Sequence, residues 1–245
     1  GKQLSYAVGD ASHAYSASDL KSVDHGVKRF RRHYIMLRPS TIVIYDELEA
    51  HHPAEWSWLL HNDTGLQIDA DQKTILAENN LANAMVSLYS STPIIFTVTD
   101  TFSILARNWN RKVDQDGKLI DFVDQWHFSG ITKEKNANMR YLAIIQVKPK
   151  SGASTCQAVS YDEASHTYSV GDWNINAEMN AAIPARIQVS NAVNSAAMTS
   201  GGSLILNGKT YKGKRSGSSK LIEVINGKEV FQGLRDEIPA VMSKD

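Results

Sequence analysis

A run of cationic side chains is the feature of this sequence that most directly suggests chemistry. Residues 25–45 contain five lysine and arginine residues and no acid. Because side chains alternate between the two faces of a strand, Arg29, Arg31 and His33 share one face. Arg32 then lies on the opposite face. A guanidinium group is a rigid two-pronged donor for carboxylates and sulfates, so the run predicts a site for acidic ligands. The sequence favours the alternative, in which acids of a neighbouring strand pair with these arginines.

Aromatic side chains near polar residues supply the other candidates for ligand binding. Trp109 and Trp126 lie in segments rich in Asn, Asp and Arg, and such rings stack on the C–H faces of sugars. Burial in the core is the more common fate of tryptophan. His61 lies in an aromatic strand, where a histidine bonded by its neighbours is the ordinary alternative. The predicted ligand-binding residues are therefore Arg29, Arg31, Arg32, His33, His61, Trp109 and Trp126.

Catalytic and metal-binding motifs are not recognisable in the sequence. It contains no nucleotide-binding loop, no nucleophile elbow, no metalloprotease helix and a single cysteine, Cys156. Residues 114–117 begin like a calcium loop but lack the later acidic ligands, so we expect a hairpin turn there. We therefore predict no catalytic residue, no metal ligand and no cofactor within this chain.

Charge and hydropathy exclude two classes of partner. The 26 basic residues balance the 26 acidic ones, and the isoelectric point near 7.3 argues against a nucleic-acid partner. No segment approaches the roughly 18 consecutive apolar residues of a membrane-spanning helix, and the first residues do not form a signal peptide. We expect a soluble globular protein.

Hydrophobic residues recur with a period of two over nearly the whole chain, which indicates β-strands. The apolar run at residues 41–46 is typical of a strand buried on both faces, and it follows a turn at Pro39-Ser40. A second break is expected at residues 51–53, where His51 and His52 would form an exposed turn. Two Asn-Gly pairs, at Asn207 and Asn226, predict hairpins. Together these patterns predict an all-β fold of antiparallel, two-layered sheets of the sandwich type.

A change in composition near residues 149–154 suggests a domain boundary. The strands before it are long and aromatic, and those after it are shorter and separated by loops of small residues. We therefore divide the chain into residues 1–150, part of a large two-layered sheet domain, and residues 151–245, a smaller β-sandwich domain.

Several segments in the first quarter of the chain share their order and residue types with one family. They are residues 6–15 (YAVGDASHAY), 27–33 (VKRFRRH), 37–48 (LRPSTIVIYDEL) and 58–61 (WLLH). This order resembles the β-sheet part of heparinase II/III-type polysaccharide lyases. The segment from Gln125 to Leu142 is similar more weakly, and the last hundred or so residues match only in β character.

The resemblance implies an α/α toroid followed by antiparallel sheets, and β-elimination of polysaccharides that contain uronate. In that family the catalytic tyrosine and histidine lie in the toroid, and a further histidine and a zinc site lie in the first strands of the sheet domain. All of them precede the segments matched here, so the resemblance assigns no catalytic or zinc-binding position to this sequence. The toroid has no counterpart in it.

Three hypotheses of function remain open. The first is the sheet region of such a lyase, structural or supporting one wall of the glycan cleft, with an acidic polysaccharide and the missing toroid domain as partners. The second is a non-catalytic carbohydrate-binding β-sandwich module, and the third is a structural domain without a ligand. The resemblance also implies a periplasmic or secreted location. We further expect a homodimer that forms through an exposed strand edge or sheet face. The segment at residues 4–8 is an example of such an edge strand, because it contains no charge and no proline.

Overall fold

The computed structural model of the chain describes residues 4–15, 26–71, 73–102, 111–120, 125–152, 155–201, 203–211 and 219–235. Among the predicted ligand-binding residues, Trp109 lies outside the described residues. Among the described residues, strands account for 64% and helix for 2%, which confirms the prediction of an all-β fold. All the strand pairs are antiparallel.

Nineteen strands and one short 3-10 helix, Ser12–Tyr15, make up the described chain. The first ten strands are β1 (Leu4–Asp10), β2 (Val27–Leu37), β3 (Thr41–Ala54), β4 (Ser57–Asn62), β5 (Leu66–Asp69), β6 (Thr74–Glu78), β7 (Ala82–Ser90), β8 (Ile94–Thr99), β9 (Trp126–Thr132) and β10 (Asn136–Pro149). The others are β11 (Ser160–Asp162), β12 (Thr167–Val170), β13 (Trp173–Ala177), β14 (Arg186–Ser190), β15 (Asn194–Thr199), β16 (Leu204–Leu206), β17 (Lys209–Tyr211), β18 (Ser219–Ile225) and β19 (Lys228–Arg235).

The strands form three main sheets and a two-stranded ribbon. The central sheet has seven strands in the order β1-β2-β3-β10-β7-β6-β5. The small sheet has three strands in the order β4-β9-β8, and the C-terminal sheet has seven in the order β11-β12-β13-β14-β15-β18-β19. The ribbon pairs β16 with β17.

The central sheet is covered on both faces, so the sheets form three layers where the sequence predicts two. Val43, Tyr45 and Leu142 pack into one apolar cluster with side chains of the C-terminal sheet. Ile44 and Tyr141, which point the other way, pack into a second cluster with side chains of the small sheet. The alternation of the pleat explains this division, because successive residues of β3 and β10 face opposite layers. The prediction that residues 41–46 form a strand buried on both faces is confirmed.

The predicted turns are largely confirmed. The hairpin around Pro39 joins β2 to β3, and both Asn-Gly pairs connect antiparallel strands. Asn207 and Gly208 have φ angles of 51° and 74°, and Asn226 and Gly227 have 49° and 74°. Positive φ at both central positions is the geometry that Asn-Gly hairpins require.

The predicted break at residues 51–53 is wrong, because β3 continues to Ala54. His51 and His52 are exposed, as expected, but they lie in the strand. Opposite this stretch β10 has an irregularity between Asn136 and Asn138, beyond which Asn136 pairs with Ala54. A proline in a strand is tolerated at such a bulge, where its missing N–H breaks no regular ladder.

The region around residue 150 separates the sheets but not the apolar core. No strand pairing among the described residues joins the part before residue 150 to the part after it. The apolar cluster around Tyr45, however, contains side chains from both parts, such as Leu142 and Ile187. The division into two domains stays a prediction.

Candidate functional site

Acids of neighbouring strands lie beside all three candidate arginines. Arg29 Nη1 lies 2.9 Å from Glu47 Oε1, and Arg31 Nη2 lies 3.0 Å from Asp10 Oδ2. Arg32 makes two hydrogen bonds of 2.6 and 2.7 Å to the carboxylate of Asp46. These contacts realise the alternative that the sequence favours. Arg31 is buried, whereas the side chains of Arg29 and Arg32 keep 23% and 28% of their exposure.

His33 belongs to a buried polar cluster around Glu47, between the central and the C-terminal sheet. Ser200 Oγ donates a 2.6 Å hydrogen bond to Glu47 Oε2, and His33 Nε2 lies 3.8 Å from the same oxygen. The His33 Nδ1 is 2.7 Å from the hydroxyl of Tyr6. Both His33 and Glu47 are fully buried in this cluster.

The protonation states follow from this burial. Burial by itself would raise the pKa of Glu47, but the adjacent His33, the charge of Arg29 and the Ser200 hydroxyl outweigh it and lower that pKa to about 2. Burial lowers the pKa of His33 below its ordinary value of 6.5, against the attraction of Glu47. At neutral pH the cluster therefore contains an ionised Glu47 and a neutral His33.

His61 and Trp126 lie on the small sheet, away from the arginines. His61 pairs directly with His127 across the strands, with ring centroids 5.9 Å apart. The Phe102 ring stacks on His61 and makes a tilted contact with His127. Trp126 is partly buried against the apolar cluster below the small sheet. A ligand-binding role for these two residues, as for the arginines and His33, stays a prediction.

A cleft of about 1030 Å³ lies between residues of the β5–β8 region and residues of the C-terminal sheet. None of the described residues predicted from the sequence to bind ligand lines it. Its most distinctive lining residues are Lys73, Tyr89, Tyr161, His166, Tyr168 and Arg186. We call it the tyrosine cleft.

Three tyrosine rings form a continuous row of tilted ring contacts along this cleft, which we call the tyrosine row. Tyr161 and Tyr168 are direct cross-strand partners in the β11–β12 hairpin, with ring centroids 4.6 Å apart. Tyr168 also contacts Tyr89 of the central sheet, and the centroids of these two rings are 4.5 Å apart. Tyr168 is buried, whereas Tyr161 is 46% exposed and presents its ring to solvent. The tyrosine row thus connects the central sheet to the C-terminal sheet and leaves an exposed aromatic ring, that of Tyr161, at its outer end.

Polar groups surround the tyrosine row. The Tyr161 hydroxyl lies 2.9 Å from His166 Nδ1, and Asn176 Nδ2 donates to the carbonyl oxygens of Ser165 and His166 at 3.0 and 3.1 Å. Arg186 Nη2 lies 3.2 Å from a carboxylate oxygen of Glu178. Aromatic faces beside several donors and acceptors are the composition of a site for a polar ring such as a sugar.

The sequence contained a weak signal for this site. Tyr161 and Tyr168 flank the largely polar segment 162–167, and one aromatic residue on each side of a short polar turn is typical of a cross-strand pair in a hairpin. Nothing local indicates Tyr89, because only the packing of the C-terminal sheet on the central sheet brings it to Tyr168.

Comparison with known proteins does not assign the chain to a family. No protein-family model matches the sequence, and no curated protein matches it. Over the described ranges, no group of three or more His, Cys, Asp or Glu side chains is arranged to hold a metal ion. No helix in the described part of the chain is long and apolar enough to span a bilayer.

Proposed function

We propose that this chain is the β-sheet part of a polysaccharide lyase and that it binds an acidic polysaccharide in the tyrosine cleft. The observation that supports binding is the row of tilted rings of Tyr161, Tyr168 and Tyr89 along a cleft of about 1030 Å³. Aromatic rings favour the C–H faces of sugars, and the polar groups beside them can bond sugar hydroxyls. A site of this kind binds through several weak contacts rather than through one deep pocket.

Cationic groups at the cleft favour an acidic sugar. Lys73 Nζ lies 5.7 Å from the centroid of the Tyr89 ring, at the inner end of the tyrosine row. The Arg186 side chain is 49% exposed although it pairs with Glu178, so its remaining N–H groups are accessible to a uronate carboxylate.

The lyase part of the proposal is supported by the resemblance of residues 6–61 and not by the cleft. In this proposal the base and acid of β-elimination belong to another part of the parent protein, and this chain supports a wall of the glycan path. No step is assigned to zinc in this chain, because the resemblance places the zinc ligands before the matched segments. A parent sequence with a few hundred upstream residues of helical periodicity would support the lyase.

The tyrosine cleft supports a second function equally well, that of a non-catalytic carbohydrate-binding module. A parent sequence with only a short upstream linker would favour it. The purified chain should in either case release no unsaturated uronate from heparin, heparan sulfate, chondroitin or alginate. Production of unsaturated uronate by the chain alone would contradict both assignments.

Binding can be tested with heparan sulfate, chondroitin sulfate and alginate, and with neutral dextran as the reference. We expect at least one acidic polysaccharide to bind, and Tyr161→Ala to weaken its affinity about fivefold to tenfold through loss of the stacking surface. The matched variant is Tyr34→Ala, because Tyr34 is 41% exposed on β2, close to the arginines. Equal losses in both variants, or a loss only in Tyr34→Ala, would reject the cleft as the site.

A further inference from the structure

One wall of the tyrosine cleft is a loop rather than a strand. Residues 178–185 connect β13 to β14, and Glu178, Met179 and Asn180 of this loop line the cleft. We call this segment the cleft loop. A binding wall built on a loop must be held in place by contacts with a rigid part of the molecule.

Local hydrogen bonds give the cleft loop its shape. The Asn180 amide donates to Glu178 Oε1 at 2.9 Å, and the Ala182 amide donates to Asn180 Oδ1 at 3.0 Å. The Glu178 amide donates to the Arg186 carbonyl at 2.8 Å and closes the base of the loop. These bonds define turns within the loop but do not attach it to the central sheet.

Two buried side chains of the central sheet make that attachment. The Tyr45 hydroxyl donates a 2.6 Å hydrogen bond to the carbonyl oxygen of Glu178, at the start of the loop. Arg140 Nη2 donates a 3.1 Å hydrogen bond to the carbonyl oxygen of Ile183, near its end. Tyr45 is 0% exposed and Arg140 is 3% exposed, so both donors are enclosed by packing.

The surroundings of Arg140 show what this buried cation does. Its Nη1 donates to the carbonyl oxygen of Met139, and its Nη2 donates to that of Ile183. Its direct partner across the strand pair is Glu47, whose carboxylate accepts hydrogen bonds from Arg29 and Ser200. Hydrogen bonds from a charged donor are about twice as strong as neutral ones, which makes Arg140 an effective anchor for a loop carbonyl.

From these contacts we infer that Tyr45 and Arg140 are positioning residues, which hold the cleft loop in the shape that binds the polysaccharide. The inference rests on the proposed function, since it concerns the same cleft. Neither side chain lines the cleft, so each acts through the backbone of residues 178–183. Preorganisation of this kind improves affinity because the loop need not be ordered when the ligand binds.

The variant Tyr45→Phe removes one hydroxyl and nothing else, and the chain offers a matched control. Tyr141 is 1% exposed, and its hydroxyl bonds to the carbonyl oxygens of Trp56 and Gly130 on the opposite side of the central sheet. Tyr141→Phe therefore removes the same group at the same depth without touching the cleft loop. Both variants should lose stability, but only Tyr45→Phe should affect the cleft.

Amide hydrogen exchange of the free protein tests the loop directly. We expect the amides of Asn180, Ala182 and Ile183 to exchange about tenfold faster in Tyr45→Phe than in the wild type, because the lost bond lowers the free energy of local opening. In Tyr141→Phe these amides should exchange at the wild-type rate. Arg140→Lys keeps the positive charge on a shorter side chain. This variant should raise the exchange rate of the Ile183 amide.

Binding of heparan sulfate and of alginate gives the functional readout. We expect Tyr45→Phe to weaken binding about fivefold and Tyr141→Phe to leave it unchanged. Equal exchange rates, or equal affinities, in the two tyrosine variants would overturn the inference. If the wild type binds neither probe, the proposed function fails, whereas the exchange experiment still decides whether Tyr45 holds the loop.

Discussion

Glu47 of the central sheet makes a buried polar contact with Ser200, which follows β15 of the C-terminal sheet. Its carboxylate accepts hydrogen bonds from Arg29 at 2.9 Å and from Ser200 at 2.6 Å, and it is fully buried. Ser200 belongs to the last part of the chain, so this one carboxylate connects segments far apart in sequence. Removal of one partner from a buried charge pair leaves the other charge without compensation.

The variant Glu47→Gln should therefore lower the free energy of unfolding by about 3 kcal/mol, as measured by urea denaturation. Glu49→Gln is the matched control on the same strand, because the Glu49 side chain is 32% exposed and pairs with Lys28 and Arg29. Exposed pairs contribute less than about 1 kcal/mol. Similar losses in both variants would show that the burial of Glu47 has no special role.

The same cluster predicts how stability depends on pH. The pKa of His33 is lowered from 6.5 and that of Glu47 from 4.5 to about 2, so the unfolded chain binds more protons than the folded one below these ordinary values. Stability is then fully present above pH 6.5 and falls as the pH decreases, with the Glu47 contribution lost below pH 4.5. Urea midpoints measured from pH 8 to pH 3 should follow this course. An increase in stability on acidification would contradict it.

At the scale of strands and turns, much of the fold can be predicted from the sequence. The period-two pattern predicted the strands, the β-branched run at residues 41–46 predicted a strand buried on both faces, and the Asn-Gly pairs predicted two hairpins. β3 continues beyond the predicted break to Ala54, which pairs with Asn136 of β10, and local residue types do not report such pairing. The tyrosine cleft could not be predicted from local residue types either, because Tyr89 and Tyr168 meet only where the two sheets pack together.

The Asn207-Gly208 turn gives a test at this scale. Gly208 has a φ of 74°, where an added Cβ is strained, so Gly208→Ala should lower the free energy of unfolding by about 1 kcal/mol. Gly9 in β1 is the control, since its φ is not in the left-handed region and nothing lies within 4 Å of an added Cβ. Gly9→Ala should leave stability unchanged or slightly higher. Equal effects in urea denaturation would reject the turn geometry.

At the scale of the whole molecule, a central sheet with both faces covered explains why the cleft can be preorganised. Tyr45 of β3 and Arg140 of β10 bond to the cleft loop on one face, and Tyr141 of β10 bonds to Gly130 of the small sheet on the other. The outer position of β1 in the central sheet agrees with the strand expected at a dimer interface, and the dimer itself stays a prediction. Light scattering at high concentration tests it, and a 27.1 kDa monomer would contradict it.

The central claim is that the tyrosine cleft, and not the arginine-rich strand, contacts the polysaccharide. Amide chemical shifts of the labelled chain, followed during titration with heparan sulfate and alginate hexasaccharides, test this claim most directly. We predict that the largest changes fall on Lys73, Tyr89, the β11–β12 hairpin and the cleft loop, which line the cleft or form its wall. Changes confined to Arg29, Arg31 and Arg32, or no change with either hexasaccharide, would contradict the account.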